Sequence, residues 1–325
     1  MTADVTADVW LPIPPDEIDG LPEGPNYLFW DGGEEGDQAY PGDPADCVMY
    51  VVPYMKRLAV RVGPLEHMRN LRVVQTLTAG VDDVMGRLSA VGPGVQLCNA
   101  RGVHEASTAE LALTLTLASL RGIPGFVRAQ QQGHWEGEFR PALADRTVLI
   151  VGYGAIGAAI EDRLIPFEVA RVARVARSER TTARGPVHPL TDLPSLLPEA
   201  DVVILSTPLT KQTKGLVNAD FLARMKDGAL LVNVARGAVV DTKALLAELE
   251  NGRITAALDV TDPEPLPPGH PLWHAPGVLI SPHVGGPSSA FLPRAKRLLA
   301  DQLGRFVNHE PLRNVVFTTE ASAHL

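Results

Sequence analysis

The sequence has few cysteines, few aromatic residues and no long apolar run. Of its 325 residues, two are cysteine, Cys47 and Cys98, and 5% are aromatic. Such sparse cysteines indicate two small buried hydrophobic residues rather than a disulfide, as is usual in a reducing cytosol. No run approaches the roughly 20 apolar residues of a transmembrane helix, and the opening MTADVTADVW lacks a signal-peptide pattern. We therefore predict a cytoplasmic protein that is not a membrane protein.

Basic residues are scarce relative to acidic ones. The chain has 29 Lys and Arg against 38 Asp and Glu, a formal net charge of −9, and a pI of about 5.5. This excess of negative charge argues against nucleic acid or an anionic membrane surface as a partner. Apolar residues make up 45% of the chain, enough for a sizeable core, and the length suggests two domains. We predict no metal site.

The stretch TVLIVGYGAIG at residues 147–157 carries the strongest local signal. Its apolar residues 148–151, mostly β-branched, predict a strand buried on both faces, and residues 158–164 contain no helix breaker. The glycines between them form G-x-G-x-x-G, which permits a tight turn, the approach of a pyrophosphate and close packing of helix on strand. The helix start also offers N–H groups to phosphates. We predict a dinucleotide site at Gly152, Gly154, Ala155, Ile156 and Gly157.

Short strands alternate with helices on both sides of this motif, which predicts parallel sheets covered on both faces. Before the motif we expect strands at 27–30, 47–52, 71–77 and 95–99, and helices at 63–68 and 105–120. From the motif onward we expect strands at 148–151, 169–175, 201–206, 229–234, 255–259 and 278–281, and helices at 155–164, 192–197, 218–225 and 241–250.

The tail, with a helix at 290–307 and a strand at 314–317, is too short for a domain of its own and should return to complete the first one. The prediction is an α/β protein of two doubly wound parallel-sheet domains. Residues 1–100 plus 287–325 would form the substrate domain, and residues 101–286 the dinucleotide-binding domain.

Three polar residues follow predicted strands downstream of the glycine loop. Arg236 lies in VNVARG, Glu264 in PEP and His283 in SPHVGG. Open α/β sheets bind ligands at the carboxyl ends of their strands, so the three side chains are candidates for one site. Each alone has an ordinary interpretation: a surface ion-pair donor, a loop carboxylate, a turn histidine. In this order, after a dinucleotide loop, they favour catalysis.

This trio suits hydride transfer between a nicotinamide and a 2-keto acid. Arg236 can hold the substrate carboxylate with two parallel hydrogen bonds and polarise the keto oxygen. His283, as an imidazolium, can protonate the developing alkoxide. Glu264, if it contacts His283, would favour the charged ring and fix its orientation.

These motifs resemble the D-isomer-specific 2-hydroxyacid dehydrogenase family. The matching segments are GYGAIG at 152–157, NVARG at 233–237, DVTDPEP at 259–265 and SPHVGG at 281–286. The resemblance implies a Rossmann dinucleotide-binding domain inserted into a flavodoxin-like substrate domain, and reduction of a 2-keto acid to a D-2-hydroxy acid by Arg-Glu-His catalysis. It also implies a homodimer joined through the dinucleotide domain and its arm, here QQGHWEG at 130–136 with Trp135.

The resemblance also assigns residues outside the trio. Residues 78–82, TAGVD, match the family's substrate loop, whose N–H groups hold the carboxylate, here those of Ala79 and Gly80. Tyr54 and Met55 would face a small or moderately apolar substrate side chain, although packing explains them equally well. His104 we expect to be a helix-start or hinge residue. The further cofactor contacts would be Thr108, Thr207, Pro208, Thr213, Ala235, Asp259 and Gly285.

The second strand of the dinucleotide domain ends in a basic segment, ARVARSER at 173–180. An NAD site places a carboxylate there for the ribose 2′-hydroxyl, but the aligned position holds Val175. Arg177, Ser178 and Arg180 resemble the 2′-phosphate site of NADPH-using members, and Arg174 is a further candidate. Glu179 could still serve a ribose. We favour NADP over NAD.

Several alternatives remain within this resemblance. Phosphite dehydrogenases have a lysine where this chain has Ala79, and formate dehydrogenases have an asparagine where it has Thr108, so neither fits. A nucleotide-sensing scaffold like the C-terminal-binding-protein corepressors shares the fold and the Arg-Glu-His set, and only turnover would distinguish it. Glyoxylate and hydroxypyruvate are the first candidate substrates, because NADPH-using members often take them.

Overall fold

We describe a computed structural model that covers residues 7–34, 38–135 and 137–320. Its strands are β1 (Asp8–Leu11), β2 (Asn26–Phe29), β3 (Cys47–Val51), β4 (Val73–Gln75), β5 (Gln96–Cys98), β6 (Thr147–Val151), β7 (Arg171–Ala176), β8 (Arg180–Thr182), β9 (Gly185–Pro189), β10 (Val202–Leu205), β11 (Leu230–Asn233), β12 (Thr255–Leu258), β13 (Val278–Ile280) and β14 (Val315–Thr318). Its α-helices are α1 (Leu58–Val62), α2 (Asp82–Met85), α3 (Glu105–Leu120), α4 (Ile123–Gln131), α5 (Ala155–Leu164), α6 (Leu193–Leu196), α7 (Ala219–Arg224), α8 (Thr242–Glu250) and α9 (Phe291–Val307).

The first of two compact units contains the chain up to His104 and again from Ser289. Its sheet has the order β14-β5-β4-β3-β1-β2. The strands are parallel except β14, which pairs antiparallel with β5 at the edge. Apart from β14, this is the flavodoxin-like order. The returning tail therefore contributes both a helix, α9, and an edge strand to this unit.

The second unit, Glu105–Ser288, has a sheet of order β13-β12-β11-β10-β6-β7-β9-β8. It is parallel except for β8, which forms an antiparallel hairpin with β9. Strand β6 lies at the centre: Leu149 and Val151 pack into one core, and Val148 and Ile150 into the core on the opposite face. A strand buried on both faces has no polar side to present, which explains its continuous apolar sequence. This is the Rossmann arrangement.

Helix α3 begins and ends where the sequence predicts. It packs against α5 and β11 within the second unit, with Ala109, Ala112 and Leu113 in the core. In the described ranges, none of the helices has the length and apolarity needed to cross a membrane.

Some elements were not predicted from the sequence. Strand β1 was not predicted because acidic residues lie at and before its start in the sequence. Its residues Val9, Trp10 and Leu11 are nevertheless fully buried. Helix α4 was missed because Pro124 looked like a breaker, whereas it occupies the helix's first turn, where proline is tolerated. The hairpin of β8 and β9 is short and polar. The helix predicted at 63–68 is wrong in type: α1 ends at Val62 and a 3₁₀ helix, Gly63–His67, follows.

The predicted arm includes Glu136, which lies outside the described residues. Its beginning, Gln130 and Gln131, belongs to the end of α4. Trp135 and, three residues beyond the predicted arm, Phe139 are fully exposed in the single chain.

Candidate active site

The glycine loop joins β6 to α5, and two of its glycines are required by the protein itself. Gly152 has φ +104°, and a Cβ there would lie 2.3 Å from the backbone nitrogen of Thr207. A Cβ on Gly157 would lie 2.7 Å from the carbonyl oxygen of Gly152. A larger residue at Gly152 would displace the backbone of the loop after β10, and one at Gly157 would push α5 away from the glycine turn.

Gly154 is different, because nothing in the protein requires a glycine there. Its φ of −100° suits any residue, and an added Cβ would meet no atom within 4 Å. The position instead leaves open space directly before α5, whose first turn (Ala155, Ile156 and Gly157) has no side-chain cap. Uncapped N–H groups at a helix start, with room beside them, fit a phosphate group.

A buried ion pair that the sequence did not predict lies between α5 and β7. Glu161, 4% exposed, accepts hydrogen bonds from Tyr153 Oη and from both Arg174 Nε, at 2.8 Å, and Arg174 Nη2. Burial alone would raise the pKa of Glu161, but the bonds from Arg174 and Tyr153 lower it. Donating to Glu161 in turn raises the pKa of Arg174. This pairing gives Arg174 a structural role within the fold.

The exposed part of the basic segment begins directly after β7. Val175 is fully buried inside β7 and its carbonyl accepts from Gly152 and Tyr153 N–H groups, both at 2.9 Å. The strand continues to Ala176, so Arg177 and Ser178 are the first exposed residues after it.

The hairpin brings further basic residues back to the glycine loop. Arg180, which opens β8, donates from Nη2 to the carbonyl of Tyr153. Arg184, in the hairpin turn, donates to the carbonyl of Ala158 at 3.0 Å and pairs with Asp162 on α5. The hairpin is therefore fastened to the loop and helix of the glycine motif.

The loop after β10 is tied to the glycine loop. Ser206 Oγ donates to the carbonyl of Gly152 at 2.9 Å. Thr207 is buried and Pro208 exposed. The Thr213 hydroxyl donates to the carbonyl of Pro208 at 2.6 Å. The side chain of Thr213, a predicted cofactor contact, therefore also holds the shape of its own loop.

A buried asparagine shapes the turn that carries Arg236. Asn233, at the end of β11, accepts from the Ala235 N–H at 3.0 Å and donates to the Arg236 carbonyl at 3.1 Å. A Cβ on Gly237 would lie 1.9 Å from the Thr261 carbonyl oxygen, so only glycine fits. Ala235 is buried, and Arg236 is half-buried with Nη1 2.8 Å from the Ala235 carbonyl oxygen.

Glu264 and His283 form the ion pair expected from the sequence. His283 Nδ1 lies 2.6 Å from Glu264 Oε1. This hydrogen bond raises the pKa of His283 against the effects of burial and of the positive charge of Arg236. Burial would raise the pKa of Glu264, but the bond from His283 and the charges of His283 and Arg236 lower it. Because Nδ1 faces the carboxylate, Nε2 is the ring nitrogen directed away from Glu264.

Asp259 holds the backbone around His283. It is 3% exposed and accepts from Ser281 Oγ at 2.6 Å and from the N–H groups of Val284 at 2.8 Å and Gly285 at 2.9 Å. His283 itself has φ +54°, an uncommon left-handed backbone that such a network can maintain. The resemblance suggested a carboxamide contact for Asp259, yet both carboxylate oxygens serve this turn.

Thr108 joins the same network. Its hydroxyl donates to the Gly285 carbonyl at 3.1 Å, and a Cβ on Gly285 would come within 2.9 Å of Asp259 Oδ2. The family resemblance implies that Thr108, Asp259 and Gly285 contact the cofactor. In the structure they also bond to one another.

The predicted substrate loop lies in the first unit. The Ala79 carbonyl accepts from Asn99 Nδ2 at 2.9 Å, and the Gly80 carbonyl from the Thr78 hydroxyl at 2.6 Å. With both carbonyls held, the loop has a fixed backbone.

The two residues suggested for the substrate side chain differ in environment. Tyr54 stacks on Phe291 with ring centroids 4.2 Å apart and lies beside His104, whereas Met55 is 70% exposed with φ +60°. His104 is buried with Nε2 2.7 Å from the Leu77 carbonyl, immediately before α3.

Comparison with known proteins agrees with this arrangement. The family described as D-isomer specific 2-hydroxyacid dehydrogenase, NAD binding domain, matches residues 113–285. Glyoxylate reductase/hydroxypyruvate reductase of Mus musculus is 38% identical over 225 residues, 66% of this chain and 68% of that protein.

Two solved structures are similar over nearly the whole chain. A D-isomer specific 2-hydroxyacid dehydrogenase from Xanthobacter autotrophicus Py2, in complex with NADPH and MES, has a TM-score of 0.80 at 30% identity, covering 96% of this chain and 98% of that one. The NADPH-dependent glyoxylate/hydroxypyruvate reductase from Sinorhizobium meliloti, in complex with NADP and malonate, has a TM-score of 0.77 at 28% identity, covering 97% and 99%. The chain therefore belongs to the D-isomer-specific 2-hydroxyacid dehydrogenase family, as an NAD(P)-dependent oxidoreductase.

Proposed function

We propose that this enzyme uses NADPH to reduce a small 2-keto acid to the D-2-hydroxy acid, with glyoxylate and hydroxypyruvate as its first candidate substrates. The observation that carries the proposal is the Glu264–His283 pair, 2.6 Å between Oε1 and Nδ1, under the electrostatic influence of Arg236. These residues share a unit with a glycine loop that fits a dinucleotide. The reductases similar to this chain support the choice of substrates.

Each member of the trio has a separate task. The Arg236 guanidinium binds the substrate carboxylate and polarises the keto group. His283 gives the Nε2 proton to the keto oxygen, and Glu264 keeps the ring protonated and aligned. The reduced nicotinamide supplies the hydride when it is bound. The N–H groups of Ala79 and Gly80 remain proposed contacts of the same carboxylate.

The glycine loop and its neighbours would hold the dinucleotide. The first turn of α5 would receive the pyrophosphate beside Gly154. The other proposed contacts are Thr108, Thr207, Pro208, Thr213, Ala235, Asp259 and Gly285.

Arg177, Ser178 and Arg180 are the proposed 2′-phosphate site. All three are exposed, and Arg180 is fixed against the Tyr153 carbonyl of the glycine loop. No carboxylate occupies the buried position of Val175, and the exposed Glu179 lies between the two arginines. A doubly charged phosphate gains charge-assisted hydrogen bonds from guanidiniums that a ribose hydroxyl does not, which supports NADPH over NADH.

Replacing Arg177 and Arg180 together by alanine should raise the KM for NADPH at least about tenfold, since charge-assisted hydrogen bonds contribute about 1.5–3 kcal/mol each. The KM for NADH should change less than about threefold. Initial rates with each cofactor at a saturating keto acid would measure both. Arg171→Ala with Arg224→Ala removes the same charge from two surface pairs and should have no such selectivity. If the Arg177/Arg180 variant raised the KM for both cofactors equally, these arginines would be ordinary solvated residues at a strand end.

A homodimer is a further part of the proposal. The full exposure of Trp135 and Phe139 supports a partner at this region, because large exposed aromatic side chains are typical of interaction surfaces.

The direct test is the initial rate of NADPH or NADH oxidation, followed at 340 nm, with glyoxylate, hydroxypyruvate, pyruvate and phenylpyruvate. We expect turnover with NADPH on glyoxylate or hydroxypyruvate. Tight dinucleotide binding without turnover on any of them would contradict the proposal and favour a nucleotide-sensing role.

A further inference from the structure

Arginines of the first unit surround a pocket that none of the motifs above includes. Helix α9 contributes Arg294, Arg297 and Asp301, which lie three and four residues apart on one helix face. Arg101, from the loop after β5, and Arg313, from the segment before β14, line the other side. The pocket has a volume of about 310 Å³, at the lower end of the range of about 300–1,000 Å³ typical of small-ligand sites.

Positive charge in this pocket exceeds negative charge, although the whole chain has a net charge of −9. Asp301 is the acidic residue of the lining, and it accepts from Arg313 Nε at 2.6 Å and Arg305 Nε at 3.2 Å. Within residues 7–34, 38–135 and 137–320, neither Arg101 nor Arg297 forms an ion pair with a carboxylate. Guanidiniums gathered in this way repel one another, and an anion between them would relieve that repulsion.

The walls of the pocket are held by hydrogen bonds independent of any ligand. Asn314 Nδ2 donates to the Arg101 carbonyl at 2.9 Å. Gln302, fully buried, accepts from the Arg313 N–H at 2.8 Å and donates to the Arg313 carbonyl at 3.0 Å. The backbones that carry Arg101 and Arg313 are thus fixed, which reduces the ordering that binding would require.

We propose that this pocket binds a small oxyanion with at least two negative charges, either a phosphate monoester or a polycarboxylate. Guanidiniums present paired N–H donors that match the oxygens of both groups. The site is separate from Arg236, Glu264 and His283, which belong to the second unit. The proposal therefore does not depend on the reaction proposed above.

Isothermal titration calorimetry on the full chain at low ionic strength would test the site, with glycerol 3-phosphate and citrate as probes. We expect at least one probe to bind, with an affinity that falls as salt is added. Arg101→Ala with Arg297→Ala should weaken its binding at least about tenfold. The probe that binds more tightly distinguishes a phosphate site from a carboxylate site. Experiments in saturating NADP⁺ separate this site from phosphate binding at the glycine loop.

Two further variants make the test specific. Arg57→Ala with Arg69→Ala removes the same charge from exposed positions of the same unit that do not line the pocket. This control should leave binding within about twofold, because solvent screens exposed charges. Asp301→Asn removes the carboxylate from the lining and should tighten binding. The proposal is overturned if neither probe binds, if the Arg101/Arg297 variant binds as tightly as the wild type, or if the Arg57/Arg69 control weakens binding equally.

Discussion

Replacing His283 by alanine should lower kcat for keto-acid reduction at least about a hundredfold, because a positioned general acid contributes about 10²–10⁴ to a rate. The affinity for NADPH should change much less, since the proposed dinucleotide contacts are made by other residues. Single-turnover rates, with cofactor binding measured by fluorescence quenching, would separate the two effects.

A second histidine–carboxylate pair in the same unit provides the matched control. His188 Nδ1 lies 3.1 Å from Asp192 Oδ2 on the surface, four residues apart in sequence. His188→Ala removes the same kind of side chain from the same kind of partner and should leave kcat within about twofold, as is usual for exposed pairs. Near-normal turnover by His283→Ala would exclude His283 as the proton donor.

The pH profile follows from the direction of the His283 pKa shift. The hydrogen bond that His283 donates to Glu264 raises that pKa above its ordinary 6.5. The imidazolium needed for reduction therefore persists above pH 6.5 and is lost as pH rises through the raised value. Glu264→Gln removes the charge that favours the imidazolium and should move the falling limb of kcat to lower pH. A limb that stays in place would show that His283 does not titrate in it.

Local patterns account for what the sequence predicted correctly. The β6–loop–α5 segment is specified by an apolar run, three glycines and an uninterrupted helix within 18 residues. Each of these local signals can be recognised in the sequence without knowing its tertiary contacts. The Glu264–His283 contact joins two residues that are 19 positions apart in the sequence. It was predictable because both follow strands that end at one edge of a parallel sheet.

The supporting roles of some residues could not be predicted in that way. Asn233, Asp259 and Glu161 act through hydrogen bonds whose partners are set by the packed fold. Arg174 illustrates the limit: the sequence shows a basic residue near a phosphate site, but only the contact with buried Glu161 on α5 reveals its partner. The hairpin that returns Arg180 to the glycine loop is likewise too short and polar to predict from periodicity.

Replacing Arg236 by lysine should lower kcat/KM for the keto acid about 10- to 150-fold, because a lost charge-assisted hydrogen bond is worth about 1.5–3 kcal/mol and each 1.36 kcal/mol is about tenfold in rate. Lysine keeps the positive charge but not the planar pair of donors that matches a carboxylate. The Asn233 contacts that shape this turn are to backbone atoms, so the substitution should not disturb the fold. Steady-state kinetics with glyoxylate, at saturating NADPH, would measure the loss.

The contrast with a surface arginine makes this result specific to geometry. Arg224 pairs with Asp220 through Nε at 3.0 Å and Nη2 at 3.1 Å on the exposed side of α7. Arg224→Lys likewise replaces a planar guanidinium by a single ammonium charge. It should leave kcat/KM unaltered because exposed pairs contribute little. If Arg236→Lys retained full activity, a single positive charge at that position would be sufficient, and the two-point grip on the substrate carboxylate would have to be abandoned.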